Sequence, residues 1–231
     1  MAVYGISDLH LSFGVDKPMN IFGKVWDNYE ERVKENWKKN ATDDDTVIIA
    51  GDISWGMHLT ESKKDFEFIH NLPGKKIILK GNHDYYFQSK SKMEKFFKDS
   101  NMNEFSILQN NAYVVGEYII CGTRGWGEVE GEKTFDEKIV KREAIRLKLS
   151  LDEALKLKEK EENKDKKIIV AMHFPPFLKE FQEVINKYDV YKCIYGHLHG
   201  YGHSKVKEGL INGVEYVMVG CDYTGFKVIE L

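Results

Sequence analysis

The stretch Lys76-Ile-Ile-Leu-Lys-Gly-Asn-His-Asp84 decides how the rest of the chain is read. Its first half is a short apolar run, too brief for a helix and rich in β-branched side chains, and so reads as a buried strand. Its second half is a glycine turn that delivers an amide, an imidazole and a carboxylate where the strand stops. The same pattern recurs along the chain. Ala2–Ile6 runs into Asp8-Leu9-His10, Thr46–Ala50 into Gly51-Asp52, Lys167–Met172 into His173, and Lys192–Tyr195 into Gly196-His197-Leu198-His199. Tyr118–Cys121 is a sixth such run, followed by the Gly-rich stretch Cys121-Gly-Thr-Arg-Gly-Trp-Gly127.

Helical patterns separate these runs. Val25, Tyr29, Val33 and Trp37 recur every fourth residue, which predicts one amphipathic helix over Lys24–Asn40. Segment Thr134–Asn163 carries two S/T-x-x-E boxes, Thr134 with Glu137 and Ser150 with Glu153, which predict two successive helices or a kinked one. Its Lys/Glu-rich end, Lys156–Lys167, reads as a solvated face. Asn212-Gly213 inside Leu210–Val219 signals a type I′ hairpin, and Phe226–Leu231 offers a last strand. An order that starts βαβα and ends in hairpins belongs to the α/β class: a mixed sheet, or two sheets packed together with helices outside.

The 231 residues, 42% of them hydrophobic, can bury a sizeable core, and one domain over 1–231 is expected against a prior of roughly 100–200 residues per domain. The net charge is −3, the pI is near 6.3, and no basic stripe is present, so dedicated nucleic-acid binding is not expected. Cys121, Cys193 and Cys221 are odd in number and share no C-x-x-C spacing, which reads as three buried thiols in a reducing compartment. No basic n-region precedes Ala2–Ile6, and no apolar run approaches the ~18 residues of a membrane span; a cytoplasmic, membrane-free protein is expected.

Five of the eight histidines fall in the polar clusters. Strand carboxyl ends converge on one edge of an α/β sheet, where ligands bind, so residues distant in sequence can meet there. In an extended Asp-x-His or His-x-His, residues i and i+2 face one side and can clamp one site. Glycines before Asp52, Asn82 and His197 permit tight turns and close backbone approach. Imidazole, carboxylate and amide donors without thiolate suit Mn²⁺ first, with iron as Fe²⁺ or Fe³⁺, or Zn²⁺, also compatible. Seven candidate ligands exceed one tetrahedral ion and suffice for two ions sharing a carboxylate.

With its D-x-H, G-D, G-N-H-[DE], H and G-H-x-H motifs in order between residues 8 and 199, the chain resembles the calcineurin-like metallophosphoesterases. The resemblance implies a four-layer α/β/β/α sandwich with two mixed sheets. It also implies that Asp8, His10 and His199 hold one divalent ion, that Asn82, His173 and His197 hold the other, and that Asp52 bridges them. The activity implied is hydrolysis of a small phosphomonoester or phosphodiester by a hydroxide shared between the ions. His83 would protonate the leaving group or hydrogen-bond the phosphoryl oxygens, worth ~10²–10⁴-fold, and Asp84 would orient and charge it.

Arg124, one of four arginines, either clamps a substrate phosphate through its planar fork or stacks on Trp126 to shape a loop. His58, His70 and His203 lie outside every motif and read as surface or packing residues, with His58 close enough to Asp52 in sequence to line the pocket. Trp55 and Tyr85-Tyr86 read as pocket walls or core, and Pro175-Pro176 as a stiffener of the His173 loop. Two rival functions share this fold: a non-catalytic scaffold, which should have lost ligands or His83, and a nuclease, which needs a groove for a polyanion. Gly51-Asp-Ile-Ser-Trp-Gly56 and Lys80-Gly-Asn-His-Asp84 depart from the G-D-x-V-D-R-G and R-G-N-H-E of protein Ser/Thr phosphatases, which favours small esters and nucleotides over phosphoproteins.

Overall fold

Strands buried on both faces are apolar at successive positions, and here alternate side chains feed different cores. Val47 and Ile49 pack outward against helices, while Ile48 between them faces a second sheet. The computed structural model describes residues 1–127 and 136–231. Five strands make the first sheet: β1 (Val3–Ile6), β2 (Thr46–Ile49), β3 (Lys75–Ile78), β4 (Phe105–Ile107) and β11 (Ile229–Glu230), in the order β11-β1-β2-β3-β4. The second holds β5 (Tyr113–Val115), β6 (Tyr118–Thr123), β7 (Lys167–Met172), β8 (Val190–Tyr195), β9 (Gly209–Ile211) and β10 (Val214–Met218), in the order β5-β6-β7-β8-β10-β9. Each sheet is parallel at its centre and antiparallel at an edge: β11 in the first, β5 and β9 in the second.

Three cores define four layers. Val3, Ile48, Ile77, Ile120, Ile169 and Ile194 fill the space between the sheets. Helices α1 (Tyr29–Asn40), α2 (Leu59–His70) and α3 (Lys90–Asp99) cover the outer face of the first sheet through Val33, Trp37, Phe66, Ile69, Met93 and Phe97. Helices α4 (Glu137–Lys158) and α5 (Lys179–Ile185) cover the second through Val140, Leu147, Leu151, Phe181 and Ile185. The α/β/β/α sandwich with two mixed sheets is the expected architecture.

Two helix expectations need correction. The stripe that began at Val25 starts at Tyr29: Asn28 sits in left-handed backbone (φ 49°), Val25 lies on a separate 3₁₀ turn and is 46% exposed, and only Tyr29, Val33 and Trp37 are buried. The boxes at Thr134 and Ser150 do not mark two helices. Thr134 lies outside the described residues, and α4 starts after Asp136, whose carboxylate accepts from the Lys138 and Ile139 amides. Ser150 is interior to one continuous α4, where its hydroxyl accepts from Gly122 N and donates to the Asn111 carbonyl. The serine ties α4 to the sheet and caps nothing. At the other end Asn212 (φ 51°) and Gly213 (φ 85°) turn β9 into β10 as expected of a type I′ pair.

Candidate metal centre

Parallel strands β1, β2 and β3, and β6, β7 and β8 of the other sheet, all end toward one rim, and the loops beyond them knit together. The Asp8 amide donates to the Gly51 carbonyl and the His10 amide to the Asp52 carbonyl, while Ser7 pairs with Val219 and Cys221 across the two sheets. Two glycines are demanded by this crowding. A Cβ at Gly81 would collide with Asp52 Oδ1 and its amide, and one at Gly196 would collide with Ser7 Oγ and Asp8 Oδ2.

The ligand-bearing loops are not extended. Asp8 (φ 62°), His10 (φ 45°), Asp52 (φ 51°) and His197 (φ 72°) all occupy left-handed backbone, at a cost of order 1–3 kcal/mol each. The i, i+2 strand geometry expected for Asp-x-His is therefore replaced by tight turns, which bend successive residues inward where a strand would carry them past the rim.

The result is two groups whose ligand atoms lie within 4.8 Å of one another: Asp8, His10 and His199, and Asp52, His173 and His197. In the first, His10 Nε2 and His199 Nε2 are 3.2 Å apart and Asp8 Oδ1 lies 3.3 Å from His199 Nε2. In the second, Asn82 Oδ1 lies 2.7 Å from His173 Nε2 and 3.0 Å from His197 Nδ1. Asp52 Oδ2 stands between them, 3.4 Å from His173 Nε2 and 3.8 Å from His10 Nε2. All seven residues selected from the sequence are thus brought to one place, with Asp52 at the junction.

The donor set fits divalent cations. Asp8 Oδ1 is buried with no hydrogen-bond partner among the described residues, an expense a cation would remove. Imidazole orientation is fixed from behind, as metal-bound histidines require: His173 Nδ1 is 3.0 Å from the Ala50 carbonyl, and His199 Nδ1 is 3.0 Å from Asp222 Oδ1. Burial pushes His10 and His197 down to about 3 and lowers His83 as well. Burial also pulls on His173 and His199, but Asp52 and Asp8 lift the first to about 9, and Asp8 and Asp222 lift the second to about 10. Burial raises the Asp8 and Asp52 carboxyls, yet the facing imidazoles hold both well below the usual carboxylate range.

His83 lies beside this cluster. Its ring centroid is 4.7 Å from Trp55 and 5.7 Å from His10, and its amide donates to Asp52 Oδ1. Trp55 is part of the core of the first sheet and also stacks on His10 at 4.8 Å, so it is both core and a wall of the site. Tyr86 is core, whereas Tyr85 is exposed.

Asp84 does not partner His83. Its Oδ2 accepts from the Gly81 and Asp52 amides and its Oδ1 from Ile53 N, Ser54 N and Tyr86 OH. Five donors converge on one fully buried carboxylate that welds the Gly81 turn to the Asp52 loop, leaving nothing for the neighbouring imidazole. Arg124 satisfies its loop-shaping reading: Cζ is 4.8 Å from the Trp126 ring, and the Arg124 carbonyl accepts from His173 N and Phe174 N. Its guanidinium also lines a cavity on the flank of the site.

His58 is exposed at the start of α2 and His70 pairs with Glu104, away from the cluster. His203 is more than a surface residue, with Nε2 3.2 Å from Asp222 Oδ2. Sequence reasoning missed Asp222 and Lys17. Asp222 had a signal, because Gly220-Cys-Asp222 follows β10 as the other clusters follow their strands. Lys17, whose Nζ lies 3.2 Å from the Trp55 ring centroid, had none.

The fold is that of a phosphoesterase-type sandwich, with two candidate metal-binding groups at its rim. The family model of calcineurin-like phosphoesterases matches residues 1–201, and the chain belongs to that family. Among solved structures it is similar to the protein TT1561 of Thermus thermophilus (TM-score 0.59, 14% identity, 99% of this chain and 97% of that one). It is also similar to a protein of unknown function from Aquifex aeolicus (0.53, 17%, 99% and 95%) and to phosphopantetheinyl hydrolase from Mycobacterium tuberculosis (0.52, 14%, 100% and 95%). At those identities the likeness is one of fold. No curated protein matches the sequence. Among the described residues no helix is long and apolar enough to cross a membrane.

Proposed function

We propose that the protein is a dinuclear metal-dependent phosphohydrolase acting on small phosphomonoesters or phosphodiesters. The observation that carries this reading is the pair of ligand groups joined at Asp52. Asp8, His10 and His199 would hold one divalent ion and Asn82, His173 and His197 the other, with Asp52 shared and Mn²⁺ the first candidate at both. Bound there, the ions supply an acidified water and neutralise phosphoryl charge.

The protein's own residues supply the rest. Burial lowers the pKa of His83, and a ring N–H of this imidazole would donate to a phosphoryl or leaving-group oxygen. Trp55 packs against that ring and against His10, narrowing the approach to one face. Lys17 adds positive charge over the Trp55 ring and near His83, which favours an anionic ester. Asp222 holds His199, and the Ala50 carbonyl holds His173, in the tautomers that present Nε2 inward.

The test is hydrolysis of p-nitrophenyl phosphate and bis(p-nitrophenyl) phosphate by Mn²⁺-loaded wild type and His83→Ala. Turnover that falls ~10²–10⁴-fold in the variant, with metal content retained, is the expected result. Equal turnover in the two proteins would remove His83 from the reaction.

A further inference from the structure

A cavity of about 280 Å³ is lined by Lys80, Arg124, Arg142 and Arg146 together with Glu143. Three of the chain's four arginines meet here, in a protein whose net charge is −3. Among the described residues that line it, four cationic side chains accompany one carboxylate. Glu143 is fully buried on the first half of α4, and its Oε1 is shared by Arg146 Nη1 at 2.7 Å, Arg124 Nη2 at 3.5 Å and Arg142 Nε at 3.5 Å. Its Oε2 is occupied by the Thr123 hydroxyl at 2.9 Å. One carboxylate oxygen cannot satisfy three guanidiniums with five donors each. The remainder is visible: Arg124 Nε is buried without a hydrogen-bond partner, and Lys80 makes no ion pair, among the described residues.

Such a cluster is costly unless an anion enters it, since like charges repel and the half-buried groups have lost part of their hydration. Glu143 arranges the guanidiniums and, among the described residues, leaves an excess of positive charge, as a site for a planar-fork contact with phosphate requires.

Its position ties the cavity to the reaction. Lys80 precedes Gly81-Asn82 and lies within ~7 Å of backbone reach of the Asn82 Cα. Arg124 is hydrogen-bonded through its carbonyl to the amides of His173 and Phe174. The cavity and the metal ligands therefore share the ends of β3, β6 and β7.

Resting on the phosphohydrolase reading, we infer that the substrate carries a second, non-scissile phosphate group and that Lys80, Arg124, Arg142 and Arg146 form its subsite. The substrate class is thus a bis-phosphorylated ester, such as a nucleotide with phosphates at both ends.

Two measurements on the full-length protein test this, the kinetics with Mn²⁺ bound and the NMR titration with diamagnetic Zn²⁺ bound. The first is the ratio of kcat/KM for 3′-phosphorylated thymidine 5′-(p-nitrophenyl phosphate) to that for the same ester without the 3′-phosphate. The ratio is expected to exceed ten in wild type and to fall about ten-fold in Arg142→Gln and in Lys80→Gln, two variants that spare the short Arg146–Glu143 pair. The second is titration of inorganic phosphate followed by the arginine Nε–H NMR signals. Those of Arg124, Arg142 and Arg146 should move, while Arg32, which packs over Phe226, should not.

Signals that stay still overturn the subsite. Signals that move without any kinetic advantage for the second phosphate reduce it to a free-anion site and overturn the substrate class. If neither ester is turned over, the phosphohydrolase reading fails and takes the substrate class with it, and the NMR titration alone then decides whether the cavity binds anions.

Discussion

Asp84 and His83 are neighbours in sequence with opposite duties. Asp84→Asn would turn an amide N–H₂ toward buried backbone donors, leaving at least one or two without an acceptor, at roughly 1–3 kcal/mol each. Denaturant unfolding should show that loss, together with weakened metal retention. His83→Ala removes no side-chain hydrogen bond among the described residues and should stay within roughly 1 kcal/mol of wild type. If Asp84→Asn instead kept its stability and only moved the pH profile of hydrolysis, Asp84 would be a partner of His83 after all.

Asp65 offers a pH test away from the ligands. It is fully buried, accepts from the Phe13 amide and the Ser54 hydroxyl, and burial pushes its carboxyl up to about 6. A carboxyl raised above its unfolded value near 3.9 binds more protons in the folded state. Its contribution to stability is therefore complete below about pH 4 and is lost as pH rises to about 6. Asp65→Asn should flatten the stability profile between those values by up to roughly 3 kcal/mol relative to wild type, measured by denaturant midpoints across pH. An identical slope in both proteins would show that Asp65 titrates normally.

At the scale of elements, the short apolar runs placed six strands correctly to within a residue or two, because strands buried on both faces can be written only in apolar residues. β4 and β5 escaped notice: each is three residues long, and β5, Tyr113-Val-Val115, is a half-exposed edge whose apolar run is too short to stand out. Ser150 shows why a local motif misled. S-x-x-E is a capping box only where a helix starts, and nothing local reveals that Ser150 instead bonds Gly122 and Asn111 from inside α4. Ser150→Ala should leave a buried amide and a carbonyl unpaired and cost roughly 1–3 kcal/mol, with α4 still helical by circular dichroism. A loss of helix would restore the two-helix reading.

Across the whole molecule, the convergence of the candidate ligand set was legible because each residue follows a strand, and parallel strands end at a common rim. How those residues converge was not legible. Left-handed backbone at Asp8, His10, Asp52 and His197 is imposed by loops paired across two sheets, and it replaces the extended clamp that spacing alone suggests. Asp222 reaches the site from far along the chain, so only the assembled sandwich shows Asp222 steadying His199 and Glu143 gathering the guanidiniums of Arg124, Arg142 and Arg146. The account stands on two metal positions sharing Asp52. Elemental analysis of the full-length protein after Mn²⁺ loading and removal of free metal tests this most directly: two equivalents per chain is the predicted result, and one equivalent or none would contradict it.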